Sequence, residues 1–347
     1  LTTFGLENEP VIDNAGNYLF RKKYDEHNNR VEEAYFGVKG EPVLDKEGVY
    51  HLWQGKYDTQ GNQIEGRFFG VKNEPVLNKD GYHYWRKRFD TRGHMLEALY
   101  FGVKNEPVLD DNGCHHSVFK YDGQGNQVEF RCLGLNNERV LDKQGKHLMR
   151  SRYDSYNRQL EERLFGIDDQ PVLNLFKFHR VNDEYDARGN LLKRSFTGLQ
   201  NEPAITNSGG YASREMRYDA YGNEIERIHR GLDGQLILSH FTDDTQDFAI
   251  RRQAYDSYGH LVEQSYFGAD GKPMLGKEGY HRWHKRYDPQ GHELEVAYFG
   301  LDNQPVYHRQ KGYHLSRTAY DDYGNSIEGA SFGLQGEPIE DAFLNHR

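Results

Sequence analysis

The stretch GYHYWRKRFDTRGHMLEALYFGVKNEPVL, residues 81–109, decides the fold, because close copies of it run from Gly48 and from Gly279. A repeat of this kind takes precedence over reading the 347 residues as two or three ordinary domains. Its first landmark is an aromatic residue followed by Asp. Such pairs end at Asp25, Asp58, Asp90, Asp122, Asp154, Asp186, Asp219, Asp256, Asp288 and Asp321, spaced 32 or 33 residues apart except for 37 between Asp219 and Asp256. A second landmark, mostly Phe-Gly, runs through Gly37, Gly70, Gly102 and their equivalents and is often followed by Pro-Val, as at Pro42, Pro75 and Pro107. Ten units therefore fill residues 1–347 as a single repeat array, with an irregular insertion at 232–248. The array starts and stops in the same half of the unit, which reads as a segment of a longer run of repeats.

Within a unit the punctuation points to strands. In Tyr-Asp-x-x-Gly-Asn, as at Tyr57 to Asn62, Asp opens a turn and Gly takes the left-handed position of a short hairpin loop with a bulge. The flanking runs His83 to Phe89 and His94 to Phe101 are rich in aromatic residues and carry no sustained apolar stripe at helical spacing. Pro107 cannot donate to a ladder, so it and its equivalents are expected to end the second strand, with a short Val-Leu stub before the next turn. The fold class is all-β: hairpins added in tandem to one continuous antiparallel sheet that curls into a superhelical ribbon, solenoid or shell.

A three-residue loop at Thr91-Arg92-Gly93 sets a register in which Asp90 faces His94, Phe89 faces Met95 and Lys87 faces Glu97. The same count puts Lys22 opposite Glu32 and Lys285 opposite Glu295, and where Glu becomes Lys193 the residue opposite is Asp183. Opposed unlike charges favour a register, so the swap has a physical cause. In six units the count leaves this position uncharged, as at Gly55, Phe119 and Ser151.

Composition narrows function. Lys and Arg number 44 against 54 Asp and Glu, a formal charge of -10, which disfavours a nucleic-acid partner. No apolar run reaches the ~20 residues of a membrane span. With 25 Tyr and 19 Phe, the area available for burial is mostly aromatic. Trp53, Trp85 and Trp283 share one column, with Phe101 expected on the same face, and form the candidate surface for a stacked ligand such as a sugar; the competing reading buries these rings in the sheet. A His column, including His83 and His281, suggests metal ligands, but copies one unit apart stand ~10 Å from each other, too far to share an ion, and a hydrogen-bonding ladder is preferred. Cys114 and Cys132 fall diagonally in the register, a relation that favours two free thiols. No nucleophile elbow, zinc signature or phosphate loop occurs, so neither catalytic residue nor cofactor is expected; Asp243 and Asp244 in the irregular segment are the one place where a grafted activity would sit.

The Tyr-Asp-x-x-Gly-Asn motif at Tyr57, Tyr121, Tyr185, Tyr218 and Tyr320, with Asn28 for Gly in the first unit and His94 for Asn in the third, resembles the YD repeat of Rhs-type bacterial proteins. The resemblance implies long antiparallel sheets wound into a strip or shell, a cell-surface or secreted location, and association with carbohydrate binding and toxin encapsulation. It touches about six residues of each unit and transfers no catalytic residue, and the Phe-Gly-x-x-x-x-Pro-Val half lies outside it. The expected function is a non-catalytic scaffold or binding module presenting aromatic and charged ladders to a protein or carbohydrate partner. A structural segment of a surface assembly that self-associates through sheet edges stands second, and a polysaccharide-active enzyme third.

Overall fold

The computed structural model describes residues 19–239 and 247–339; Asp243 and Asp244 lie outside them. The described residues form 21 strands and no helix. The chain divides into two compact units, 1–174 and 175–347. In the first, five hairpins follow one another: β1 (Leu19–Tyr24) with β2 (Arg30–Phe36), β3 (Leu52–Tyr57) with β4 (Gln63–Phe69), β5 (Tyr84–Phe89) with β6 (Met95–Phe101), β7 (His116–Tyr121) with β8 (Gln127–Leu133), and β9 (Leu148–Tyr153) with β10 (Gln159–Phe165). In the second they are β11 (Arg180–Tyr185) with β12 (Leu191–Thr197), β13 (Ser213–Tyr218) with β14 (Glu224–Arg230), β15 (Ile250–Tyr255) with β16 (Leu261–Phe267), β17 (Arg282–Tyr287) with β18 (Glu293–Phe299), and β19 (Leu315–Tyr320) with β20 (Ser326–Phe332), closed by the stub β21 (Pro338–Ile339). Within each unit every hairpin also pairs antiparallel with the next, as β4 with β5 and β16 with β17.

The Asp turn is built as its residues dictate. Asp90 N donates to His94 O, Gly93 N donates back to Asp90 O, and the Asp90 carboxylate accepts from Arg92 N and His94 N. Gly93 has φ 84°, and in the two turns without glycine Asn28 and Asn157 both take φ 64°. Because the Asp side chain is already an acceptor for three donors, its charged form is favoured. The hydrogen bond from His94 is the largest cause that draws Asp90 down to about 2.

The second turn differs from expectation. The strand ends at Phe101, not at Pro107, because Gly102 N donates to Glu106 O and reverses the chain; Pro107 then stands opposite Phe101 as the start of the stub. Glu106 folds back to accept from Lys104 N, and one of its oxygens lies 2.3 Å from where a Cβ at Gly102 would be, so any larger residue there would push the Glu106 carboxylate aside.

The register also departs from the count. Phe89 does face Met95, but Leu96 is bulged out, so Glu97 faces Arg88 and Lys87 faces Ala98. Likewise Glu32 faces Lys23, Glu295 faces Arg286, and Lys193 faces Glu184 rather than Asp183. The positions taken as uncharged become Lys56, Lys120 and Arg152. Unlike charges now oppose each other in eight of the ten hairpins, the exceptions being Ala254 and Ala319. The next hairpin extends the row, since Glu65, Glu129, Glu226 and Glu295 face Arg86, Arg150, Arg252 and Arg317. The reversal is complete: Lys193 stands between Glu184 on one side and Glu215 on the other.

Candidate functional site

Strand alternation gives each sheet two unlike faces. Trp85 opposes Tyr100, whereas Phe101 opposes Tyr84, so the Trp column and Phe101 lie on opposite faces rather than together. The Trp face is the more buried. Trp53, Trp85 and Trp283 are 6%, 7% and 9% exposed. Each is capped by a cation: Arg30 lies 4.7 Å from the Trp53 ring, Lys87 4.2 Å from Trp85 and Lys285 5.1 Å from Trp283. Two of the rings also lie over glycines. A Cβ at Gly55 would sit 2.4 Å from the Trp53 ring, and one at Gly66 2.7 Å from Trp85.

On the same face the residue before each His and the residue before each Phe-Gly form a spine of touching side chains. In the first unit it runs Tyr35, Tyr50, Phe68, Tyr82, Tyr100, with centroid separations of 5.9, 5.1, 6.2 and 5.0 Å. In the second it runs Phe178, Phe196, Tyr211, His229, Phe248, Tyr266, Tyr280, Tyr298, Tyr313 without a break. Offset and edge contacts of this kind add roughly 0.5–1.5 kcal/mol each beyond burial. Burial pushes the Tyr82 hydroxyl up to about 12 and draws the His229 imidazole down to about 4. A groove of about 490 Å³ follows the spine beside Tyr35, Tyr50, Phe68 and Tyr82, rimmed by charged residues such as Asp45 and Lys79, and no motif marks it in the sequence.

The cysteines belong to this spine. Cys114 occupies the column of Tyr82, and Cys132 that of Tyr100; the two form a disulfide with alpha carbons 5.2 Å apart, not two free thiols. The expectation failed because it extended the strand register to Cys114, which ends the Asp110 turn: Asp110 N donates to Cys114 O, and β7 begins only at His116. Where other hairpins bring two rings into contact, this one makes a covalent bond.

The His column ties neighbouring segments. His83 Nδ1 is 3.3 Å from Val76 O, His115 Nδ1 2.8 Å from Tyr100 O, and His281 Nδ1 2.7 Å from Tyr266 O. Phe101 meets His115 edge-on at 5.3 Å and stacks on Tyr84 at 4.5 Å. Burial draws the His83 and His281 imidazoles below their ordinary range, against hydrogen bonds that favour the charged form. No cluster of metal-binding side chains occurs among the described residues.

The Tyr of six Asp turns has a bonding role of its own. Tyr121 OH donates to Met95 O in the preceding hairpin at 3.0 Å, and Tyr57, Tyr153 and Tyr218 do the same to Arg30, Gln127 and Leu191. The accepting carbonyls of Arg30, Met95 and Gln127 each sit beside the bulge of their hairpin. The Tyr-Asp pair thus does two jobs: Asp closes one turn and Tyr fastens that hairpin to the one before.

The opposite face carries the charge row. Lys120 and Arg150 reach Glu129 at 2.9 and 3.3 Å, and Arg217 and Arg252 reach Glu226 at 3.1 and 2.9 Å. Burial works to raise the Glu129 carboxyl, but hydrogen bonds from Lys120 and Arg131 outweigh it and hold the group below the usual carboxylate range.

No family model and no curated protein matches the chain. Solved structures similar to it include the TcdB2-TccC3 crystal structure, at 10% identity and a TM-score of 0.27 over 91% of this chain and 19% of that one. The same complex without its hypervariable C-terminal region gives 12% identity and a TM-score of 0.29 over 92% and 18%. A Photorhabdus luminescens Tc holotoxin pore gives 11% and 0.24 over 91% and 22%. The chain therefore spans about a fifth of the length of those structures, and scores this low assign it no role.

Proposed function

We propose that this chain is a non-catalytic structural scaffold, a repeat segment of a secreted or cell-surface assembly whose partners are proteins. One observation carries the reading: the residue types able to do chemistry are engaged in contacts within and between repeats. The His rings bond backbone carbonyls, the turn Tyr hydroxyls bond the preceding hairpin, and the Trp rings are buried under Lys and Arg. An array held this way gains stability by nearest-neighbour terms and presents its charged face along its length. The buried disulfide supports folding in an oxidising compartment. Incubation with a panel of polysaccharides, followed by end-group analysis, tests the reading. A scaffold produces no new ends. Turnover that disappears in Asp243→Asn or Asp244→Asn would instead establish an enzyme working through the irregular segment.

A further inference from the structure

One place on the charged face breaks the repeat twice. The residue before the second-landmark glycine is Phe at eight positions, among them Phe165, Phe267 and Phe299, but it is Thr197 and then Arg230 in two successive hairpins. Elsewhere in the second unit an Arg covers that ring, as Arg252 covers Phe267 at 4.6 Å and Arg317 covers Phe332 at 5.2 Å. At the position of Arg252 the chain instead has Glu215, which accepts from Arg230 Nε at 2.9 Å. The floor between the two missing rings is also thin. Ser195 opposes Ser213, whereas the other described pairs at this step include a large residue, as in Arg67 with Tyr84 or Ile228 with Ile250.

The result is a cavity of about 300 Å³ lined by Lys193, Ser195, Thr197, Ser213, Glu215 and Arg230, with Leu232 and Pro203 at its side. Thr197 Oγ1 is buried there and has no hydrogen-bond partner among the described residues. This is also where the charge row changes sign. Lys193 faces Glu184 and Glu215 in register, yet its ammonium makes no ion pair among the described residues. Arg230 is anchored by Glu215 Oε1 and by Gly234 O at 2.9 Å, and the Glu215 carboxylate lines the cavity.

We propose that this cavity binds a small aromatic zwitterion of the α-amino-acid class. The seat is shaped for a phenyl ring because the same backbone holds one in most other hairpins, and the Arg230 side chain lines the same cavity. Lys193 receives the carboxylate. Glu215 receives the ammonium, and the Ser195, Ser213 and Thr197 hydroxyls supply the remaining polar contacts. Loss of the ring and inversion of the charges at one spot thus have a common explanation.

Calorimetric titration of the full chain with L-phenylalanine, beside L-leucine and phenylacetate, tests this. The wild type should bind L-phenylalanine saturably and both analogues more weakly. Thr197→Phe, which restores the repeat, should melt at or above the wild-type temperature and lose affinity at least ~10-fold. Should that variant misfold, Ser195→Leu fills the same space and is read in its place. Glu215→Gln should weaken L-phenylalanine but leave phenylacetate unchanged. The proposal is overturned by no saturable binding, by equal binding of L-leucine, or by unchanged affinity in the filled variants.

Discussion

The two faces of the sheet repeat with the same period but hold the array in different ways. The Trp and Tyr face is the more buried, runs from ring to ring through most hairpins, and in one of them replaces the aromatic pair by a covalent bond between Cys114 and Cys132. The charged face is half open and tolerates inversion, as Glu184, Lys193 and Glu215 show, provided every member changes together. Burial and covalent linkage act at contact range and set the stability. Exposed charge pairs are worth little singly and chiefly decide which register is chosen.

That contrast can be broken or sharpened by substitution. Trp85→Ala removes a ring packed over Gly66 and under Lys87, and should cost about 3–5 kcal/mol in urea unfolding. Loss of the disulfide in Cys114→Ser/Cys132→Ser opens a closure of 18 residues and should cost about 3 kcal/mol, read as a lower melting temperature. Tyr121→Phe deletes one hydroxyl bond to Met95 O and should cost about 1 kcal/mol. On the other face, Arg88→Glu and Glu97→Arg should each cost no more than about 1 kcal/mol, and the double swap should restore most of it, as the natural swap at Glu184 and Lys193 implies. Equal losses from Trp85→Ala and Arg88→Glu would erase the distinction between the faces.

Acid should act through the turns. The Asp90, Asp122 and Asp219 carboxyls are held below their ordinary value, chiefly by the His94, Asn126 and Asn223 side chains. A carboxyl lowered on folding stabilises the protein above its unfolded value and loses that contribution as pH falls through its folded value. Stability should therefore decline as pH drops from about 4 toward about 2, where Asp90 titrates, and Asp90→Asn should flatten that decline. A melting temperature independent of pH over this window would contradict the turn chemistry.

Much of this was legible in the sequence because it is local. Asp at one end and Gly or Asn near the other specify the hairpin turn within six residues, and ten recurrences fix the unit. The bulge was not legible from the turn, because Leu96 is displaced by strand pairing beyond it. The signal was nevertheless present: shifting the register by one residue converts four of the six uncharged oppositions into Lys or Arg against Glu, leaving only Ala254 and Ala319. Placing Cys114 and Cys132 in the Tyr82 and Tyr100 columns would have revealed the disulfide, since those columns touch in the two preceding hairpins, as Tyr50 with Phe68 and Tyr82 with Tyr100. Trp burial rests on small neighbours: Gly55 lies two residues along the same strand from Trp53, and Gly66 faces Trp85 across the pairing of one hairpin with the next, which counting within a hairpin does not reach.

Native-state hydrogen exchange on Trp283→Ala is the most direct check that repeats are held to one another along the aromatic spine. Trp283 packs with Tyr266, Tyr280 and Tyr298 in one cluster, so the substitution should lower amide protection in β16 and β18 as well as β17, and extend it to β19. Protection lost within β17 alone, with its neighbours unchanged, would show that the repeats are stable independently and that the spine does not bind them.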